Sequence, residues 1–317
     1  MSSLTIRVHL AKVAELLRKN GIGDAELDAR LLLQHVLGCE HSELISKYLE
    51  ALPLELAVAH EELVRRRSEG EPVHRIIGHR EFFGTVLEIG LEVLDPRPET
   101  ELLVEAVVAD VDENAKLQFA DVGTGSGAIG ISLLKLLPGA ICTAIDVSEA
   151  ALDVACRNAE RNEVADRFLP VCSDYFSSVV PEFNFIVSNP PYIRSADIAE
   201  LDIEVKSHDP LIALDGGRDG LDAYREIFVQ ARKHLRPYGR LYLEVGFDQL
   251  ESCSRLALDA GWSVVQEKED YAGLPRILVF EIAEMQHRQQ DVHNVRRKCL
   301  ESATETDSFI SVQGQRL

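Results

Sequence analysis

The stretch FADVGTGSGAIGISLL, residues 119–134, reads as a strand, a glycine-rich turn and the start of a helix. Gly123, Gly125 and Gly127 permit backbone conformations and a close approach that a Cβ would block, so a cofactor can lie over the turn. Such a fingerprint gains meaning from its context. Here the next strand ends in Ala144-Ile145-Asp146, about 23 residues after Gly123, where open α/β sheets that bind nucleosides place an acid against ribose hydroxyls. A nucleoside-containing cofactor is the expectation.

Working outward, short apolar strands alternate with helices from residue 116 onward. The strands are Leu117 to Val122, Ala140 to Ile145, Phe183 to Val187 and Gly239 to Val245, with helices starting near 128, 149 and 221. That alternation predicts a parallel sheet covered on both faces. Trp262 to Glu267 and Ile277 to Ile282 break it and predict an antiparallel edge hairpin. Residues 1–72 read as a small all-helical domain, with Asn20-Gly21 and Gly38 as stops and Asp24, Ser42 and Pro53 as starts. The run Arg65-Arg66-Arg67 reads as a solvated helix end. Residues 73–100, with Phe82-Phe83 and Val86 to Ile89 among glycines, predict a β-hairpin connector. The sheet domain then occupies 101–283, and 284–317 is a polar tail expected to be disordered.

Composition narrows the function. The formal net charge of -20 disfavours nucleic acid as a direct substrate, because such binders neutralise phosphates with a basic face. The six cysteines include no CxxC or Cys/His cluster, so no metal site is expected. No apolar run approaches the roughly 18 residues needed to span a bilayer, and the charged start lacks a signal peptide's apolar region. A cytoplasmic protein without membrane contact is the expectation.

Two features favour S-adenosylmethionine over NAD. GTGSG lacks the GxGxxG spacing, since residue 128 is Ala. Asp121 suits a cationic ligand: it could hold a methionine ammonium, directly or through water, but would repel a pyrophosphate. The same sheet edge should carry VSNPPYI, residues 187–193. Ligands bind beyond the carboxyl ends of such strands, which puts Asn189 beside the cofactor. Its side-chain carbonyl and the Pro190 main-chain carbonyl are acceptors, and Pro191 offers no competing N–H. Two acceptors aimed at one planar NH2 group, with Tyr192 stacked on it, make a site for an amide or amine nitrogen such as that of glutamine, adenine or cytosine.

At these residues the chain resembles the class I S-adenosylmethionine methyltransferases with an NPPY motif. More closely, it resembles the PrmC/HemK family, the peptide chain release factor glutamine methyltransferases. The resemblance runs to about residue 283, through GEPVHRIIGHREFFG (70–84), DPRPETE (95–101), DVGTGSGAI (121–129), RNAERN (157–162), VSNPPYI and HDPLIALDGGRDGL (208–221). It departs from the family at His74-Arg75, where an aromatic is common, and at Asp95, where Ile is frequent. The implied fold is a Rossmann-like class I methyltransferase sheet behind the helical domain and hairpin. The resemblance implies that Gly123, Thr124, Gly125, Ser126 and Gly127 line the cofactor, that Asp146 binds its ribose and that Tyr175 stacks near its adenine. Asn189, Pro190, Pro191 and Tyr192 would hold the target glutamine, with Asn189, Pro190 and Tyr192 as the catalytic set. His208 and Asp209 are expected to be structural.

The implied reaction is in-line attack of a glutamine side-chain nitrogen on the sulfonium methyl, leaving S-adenosylhomocysteine and needing no strong general base. The implied partner is a class 1 release factor, docked partly on the helical domain. Three other readings use the same motifs: an N6-adenine methyltransferase acting on a flipped base, a ribosomal-protein glutamine methyltransferase, and a non-catalytic cofactor-binding subunit. A dehydrogenase would require NAD in the glycine loop.

Overall fold

The computed structural model describes residues 4–180 and 182–283; the polar tail expected at 284–317 lies outside the described residues. The chain opens with helices α1 (Ile6–Lys19), α2 (Ala25–Leu37), α3 (His41–Ser46) and α4 (Leu54–Ser68), then a short α5 (Val73–Ile77). They pack around Leu17, Leu32, Leu33 and Leu44, each wholly buried. Thr5 caps α1 through its hydroxyl, and Gly38 closes α2 at φ +60°. Asp24 precedes α2 without a side-chain cap, and α3 starts at His41, so Ser42 lies inside that helix.

The arginine run is not uniformly solvated. Arg65 pairs with Glu62 and Glu69 at the surface, but Arg67 is 5 % exposed. Its guanidinium donates to Asp28 on α2 at 2.6 Å and to Glu204 at 2.7 Å. A buried guanidinium needs such partners, because leaving it unpaired costs several kcal/mol.

Strands β1 (His79–Phe82) and β2 (Thr85–Glu88) form the hairpin, joined by Phe83 and Gly84 at φ +48° and +67°. That two-residue turn matches the twist of its strands. A turn of 3-10 helix at Pro98–Thr100 leads into α6 (Glu101–Asp110). The sheet follows: β3 (Gln118–Val122), α7 (Ala128–Leu136), β4 (Ile141–Asp146), α8 (Glu149–Arg161), β5 (Phe168–Cys172) and β6 (Phe183–Ser188). Then come α9 (Ile203–His208), α10 (Asp222–Ala231), β7 (Leu235–Glu244), α11 (Leu250–Asp259), β8 (Trp262–Glu269) and β9 (Pro275–Ile282).

The order is β5-β4-β3-β6-β7-β9-β8, parallel as far as β7 and antiparallel beyond. Successive residues of β3 point to opposite faces, as a pleat requires. Phe119 packs with α6, α7 and α8, and Ala120 with α10 and α11. The structure adds β5 and α11 to the expected alternation. Strand β5 is a sheet edge that buries Phe168 and carries Pro170, so a proline, which is tolerated at an edge, breaks its short apolar run. Its presence makes β6 the fourth strand of the sheet in chain order, not the third. The chain winds from β3 to one edge and returns to place β6 beside β3. Val122 pairs with Ile145 on one side and Ser188 on the other, so three strands end level at the switch point. Among the described residues no helix is long and apolar enough to cross a membrane.

Candidate active site

The glycine turn, Asp146 and the NPPY stretch converge at that switch point. Gly123 and Gly125 adopt φ +70° and +55°, which an L side chain rarely does. A Cβ on either would meet no protein atom nearer than 4.0 Å, so the space above the turn is open. It belongs to a cavity of about 430 Å³ walled by Gly123, Gly125, Asp146, Tyr175, Asn189 and Pro191, with Ser148, Ile212 and Leu94 among the other lining residues. The Asp146 carboxylate accepts from Gly125 N at 2.9 Å and Ser148 N at 3.0 Å. Each oxygen keeps a lone pair for a ligand hydroxyl. Tyr175, half-buried at φ +47°, has its hydroxyl pushed up to about 12 by burial and by Asp174.

The other expected cofactor residues lie beneath the turn. Asp121 is wholly buried, and its Oδ2 accepts from the Thr124 hydroxyl at 2.7 Å and Gly130 N at 3.0 Å. It holds the loop onto the start of α7 and does not line the cavity, so direct contact with an ammonium gives way to a supporting position. Burial pushes its carboxyl up to about 6. Its other oxygen has no protein partner, as suits a group completed by water or ligand. Thr124 and Ser126 are buried, and the Ser126 carbonyl accepts from Asn158 at 2.9 Å. Gly127 caps α7, where a Cβ would strike Ile131 at 2.7 Å.

On the other side of Asn189 is a smaller pocket of about 190 Å³, walled by Asn189, Pro190, Tyr192, Leu94, Arg97 and Val205 among others. Asn189 and Leu94 line both cavities. Arg97 and Val205 also line a third space, a cleft of about 830 Å³ between the opening helices and the sheet domain. The Asn189 side-chain NH2 donates to Thr100 Oγ1 at 3.0 Å, which turns its carbonyl away from that contact. Among the described residues neither that carbonyl nor the Pro190 carbonyl accepts a hydrogen bond. The next peptide is held by Gln249, whose side chain donates to the Tyr192 carbonyl at 2.9 Å and the Gly220 carbonyl at 3.1 Å. Ile193 bridges to Asp215, pinning the motif's tail to the 208–221 stretch.

Two family models match successive parts of the chain. The model described as PrmC N-terminal domain matches residues 9–78, and that described as Methyltransferase small domain matches residues 95–204. A release factor glutamine methyltransferase of Agrobacterium fabrum is 39% identical over 280 residues, covering 87% of this chain and 97% of the relative. The chain belongs to the release factor glutamine methyltransferase family. A second such methyltransferase, of Bradyrhizobium diazoefficiens, is 42% identical over 268 residues, covering 83% of this chain and 90% of the relative. A solved protein-(glutamine-N5) methyltransferase (release factor-specific) of Alicyclobacillus acidocaldarius is 29% identical, with a TM-score of 0.35 over 61% of this chain and 98% of the other.

Thr100, Glu244 and Gln249, around the site of this release factor glutamine methyltransferase homologue, were not singled out by sequence reasoning. Thr100 and Glu244 stand behind Asn189, and Gln249 stands behind Tyr192. Asp209 accepts from Arg75 at 2.7 Å and from Arg97 at 2.6 Å, joining α5 and the PRPET turn. Asp95 accepts from Arg80 on the hairpin. The available signal was the quoted stretches themselves: HRIIG, PRPET and HDP meet through these ion pairs.

Proposed function

We propose that this methyltransferase methylates the side-chain amide nitrogen of the glutamine in the Gly-Gly-Gln loop of class 1 peptide chain release factors. Gly123, Gly125, Asp146 and Tyr175 would hold S-adenosylmethionine, which when bound would supply an electrophilic methyl, with S-adenosylhomocysteine as the product. An amide nitrogen is a weak nucleophile because its lone pair is delocalised. The Asn189 and Pro190 carbonyls accept its two hydrogens and fix its direction toward the neighbouring cavity. Both bonds strengthen as the nitrogen gains positive charge, so they favour the transition state over the ground state. Tyr192 and Pro191 close the walls, and the methylated nitrogen then loses a proton to solvent.

The observation that carries this reading is the position of Asn189 between two cavities with its NH2 already engaged. An amide so held offers an acceptor, which a glutamine NH2 needs. The 830 Å³ cleft that shares Arg97 and Val205 with the smaller pocket supports a substrate with bulk flanking the target group, and the charge of -20 disfavours a polynucleotide. The helical region, residues 1–72, would act as the docking domain. The test is incubation of release factor and, separately, DNA with enzyme and isotopically labelled S-adenosylmethionine. Label on the Gly-Gly-Gln peptide alone supports the reading; label on DNA with none on release factor overturns it.

A further inference from the structure

The Asn189 amide could turn either its carbonyl or its NH2 toward the target pocket, and only one orientation serves an NH2 substrate. The structure contains the device that selects it. Thr100 Oγ1 lies 2.6 Å from Glu244 Oε2 and 3.0 Å from Asn189 Nδ2. A hydroxyl has one proton to give. When it goes to the Glu244 carboxylate, the oxygen can meet Asn189 only as an acceptor, so the NH2 must face Thr100 and the carbonyl must face the pocket. Thr100 and Glu244 are 3 % and 1 % exposed, so water does not compete for these bonds. The Glu244 carboxylate also acts through its charge on the Tyr192 hydroxyl.

We infer that Thr100 and Glu244 are positioning residues that set the amide orientation of Asn189, and through it the polarity of the methyl-acceptor pocket. Neither touches the substrate. The inference gives the PRPET turn a chemical role: it delivers Thr100 to the NPPY motif. It rests on the reading of Asn189 as the acceptor of the glutamine NH2. A hydrophobic isostere at 100 leaves the shape but removes the selection, and Asn189 then divides between two orientations.

The test compares Thr100→Val, Thr100→Ser and Glu244→Gln with the parent, measuring kcat and KM for release factor and Kd for S-adenosylmethionine. Thr100→Val should lower kcat roughly 10- to 100-fold, less than the loss of an entire preorganised group, with KM and cofactor affinity little changed. Thr100→Ser should recover most of the rate. Glu244→Gln, whose amide can accept from Thr100 or donate to it, should fall between. A second readout needs no substrate: hydrogen exchange of the Asn189 side-chain NH2 by 15N NMR, assigned by its disappearance in Asn189→Asp. Protection should be present in the parent and Thr100→Ser and lost in Thr100→Val. Equal kcat in parent and Thr100→Val, a serine variant as slow as the valine one, or unprotected NH2 in the parent overturns the inference. If the parent leaves release factor unmethylated yet protects the NH2, the orientation device stands and the substrate assignment falls.

Discussion

Replacing Glu244 by glutamine should make the protein more stable at alkaline pH while slowing it. Glu244 ends β7 with its carboxyl wholly buried, and that burial pushes it from an ordinary 4.5 up to about 7, against the opposing effects of the Thr100 hydroxyl and Arg276. A raised carboxyl binds its proton more tightly in the native state than in the unfolded chain. The stability it contributes is complete below about pH 4.5 and is lost as pH rises through about 7. The difference corresponds to about 3 kcal/mol at pH 8. Glutamine keeps the shape and stays neutral throughout, so the variant should match the parent near pH 4.5 and exceed it by up to about 3 kcal/mol at pH 8. Asp121 titrates in the same direction in both proteins and cancels. Urea unfolding from pH 5 to 8, followed by the fluorescence of the single tryptophan, Trp262, reports the sheet directly, because that side chain is fully buried on β8. A difference that does not change with pH, or a glutamine variant less stable than the parent at pH 8, refutes the reasoning. A variant that is more stable and slower is what a costly buried charge kept for function requires.

Other perturbations probe separate parts of the account. Asp146→Ala removes a carboxylate fixed by Gly125 N and Ser148 N and should weaken S-adenosylmethionine binding roughly 10- to 100-fold, from charge-assisted bonds of about 1.5–3 kcal/mol, as read by calorimetry. Asp209→Ala strands the buried guanidinium of Arg75 and frees Arg97; it should cost about 3–5 kcal/mol of stability in a denaturation series and raise KM for release factor. His60 is wholly buried and accepts from His9 at 2.9 Å while donating to the Ala29 carbonyl at 3.1 Å. Burial, with His9 second, pushes it down to about 4, so its contribution is complete above pH 6.5 and is lost as pH falls toward 4. Thermal unfolding should show the parent losing more between pH 7 and 5 than His60→Gln.

The parts of the site legible in the sequence are those written in local pattern. Gly123, Gly125 and Asp146 follow strands whose apolar runs are short and bounded, and Asn189-Pro190-Pro191 cannot continue a ladder, so each could be placed at a strand end. Asp121 was assigned from its distance to Gly123 along the chain, but the pleat buries it beneath the turn. Strand β5 escaped because its outer side is open and Pro170 interrupts it. Thr100 and Glu244 escaped for another reason. They are 144 residues apart, and a threonine in a proline-rich turn and a glutamate at a strand end have ordinary solvent-facing readings until the fold brings them together. Arg67 likewise reads as one of three surface charges, and only the packing of α2 and α9 against it makes it a buried tie.

The measurement that bears most directly on the central claim is single-turnover methylation of release factor by the parent and by Asn189→Ala, with the modified residue located by tandem mass analysis. The account predicts one methyl on the glutamine of Gly-Gly-Gln with the parent, and a rate roughly 100- to 1,000-fold lower in the variant with S-adenosylmethionine still bound. A methyl on another residue, or an alanine variant as fast as the parent, would contradict it.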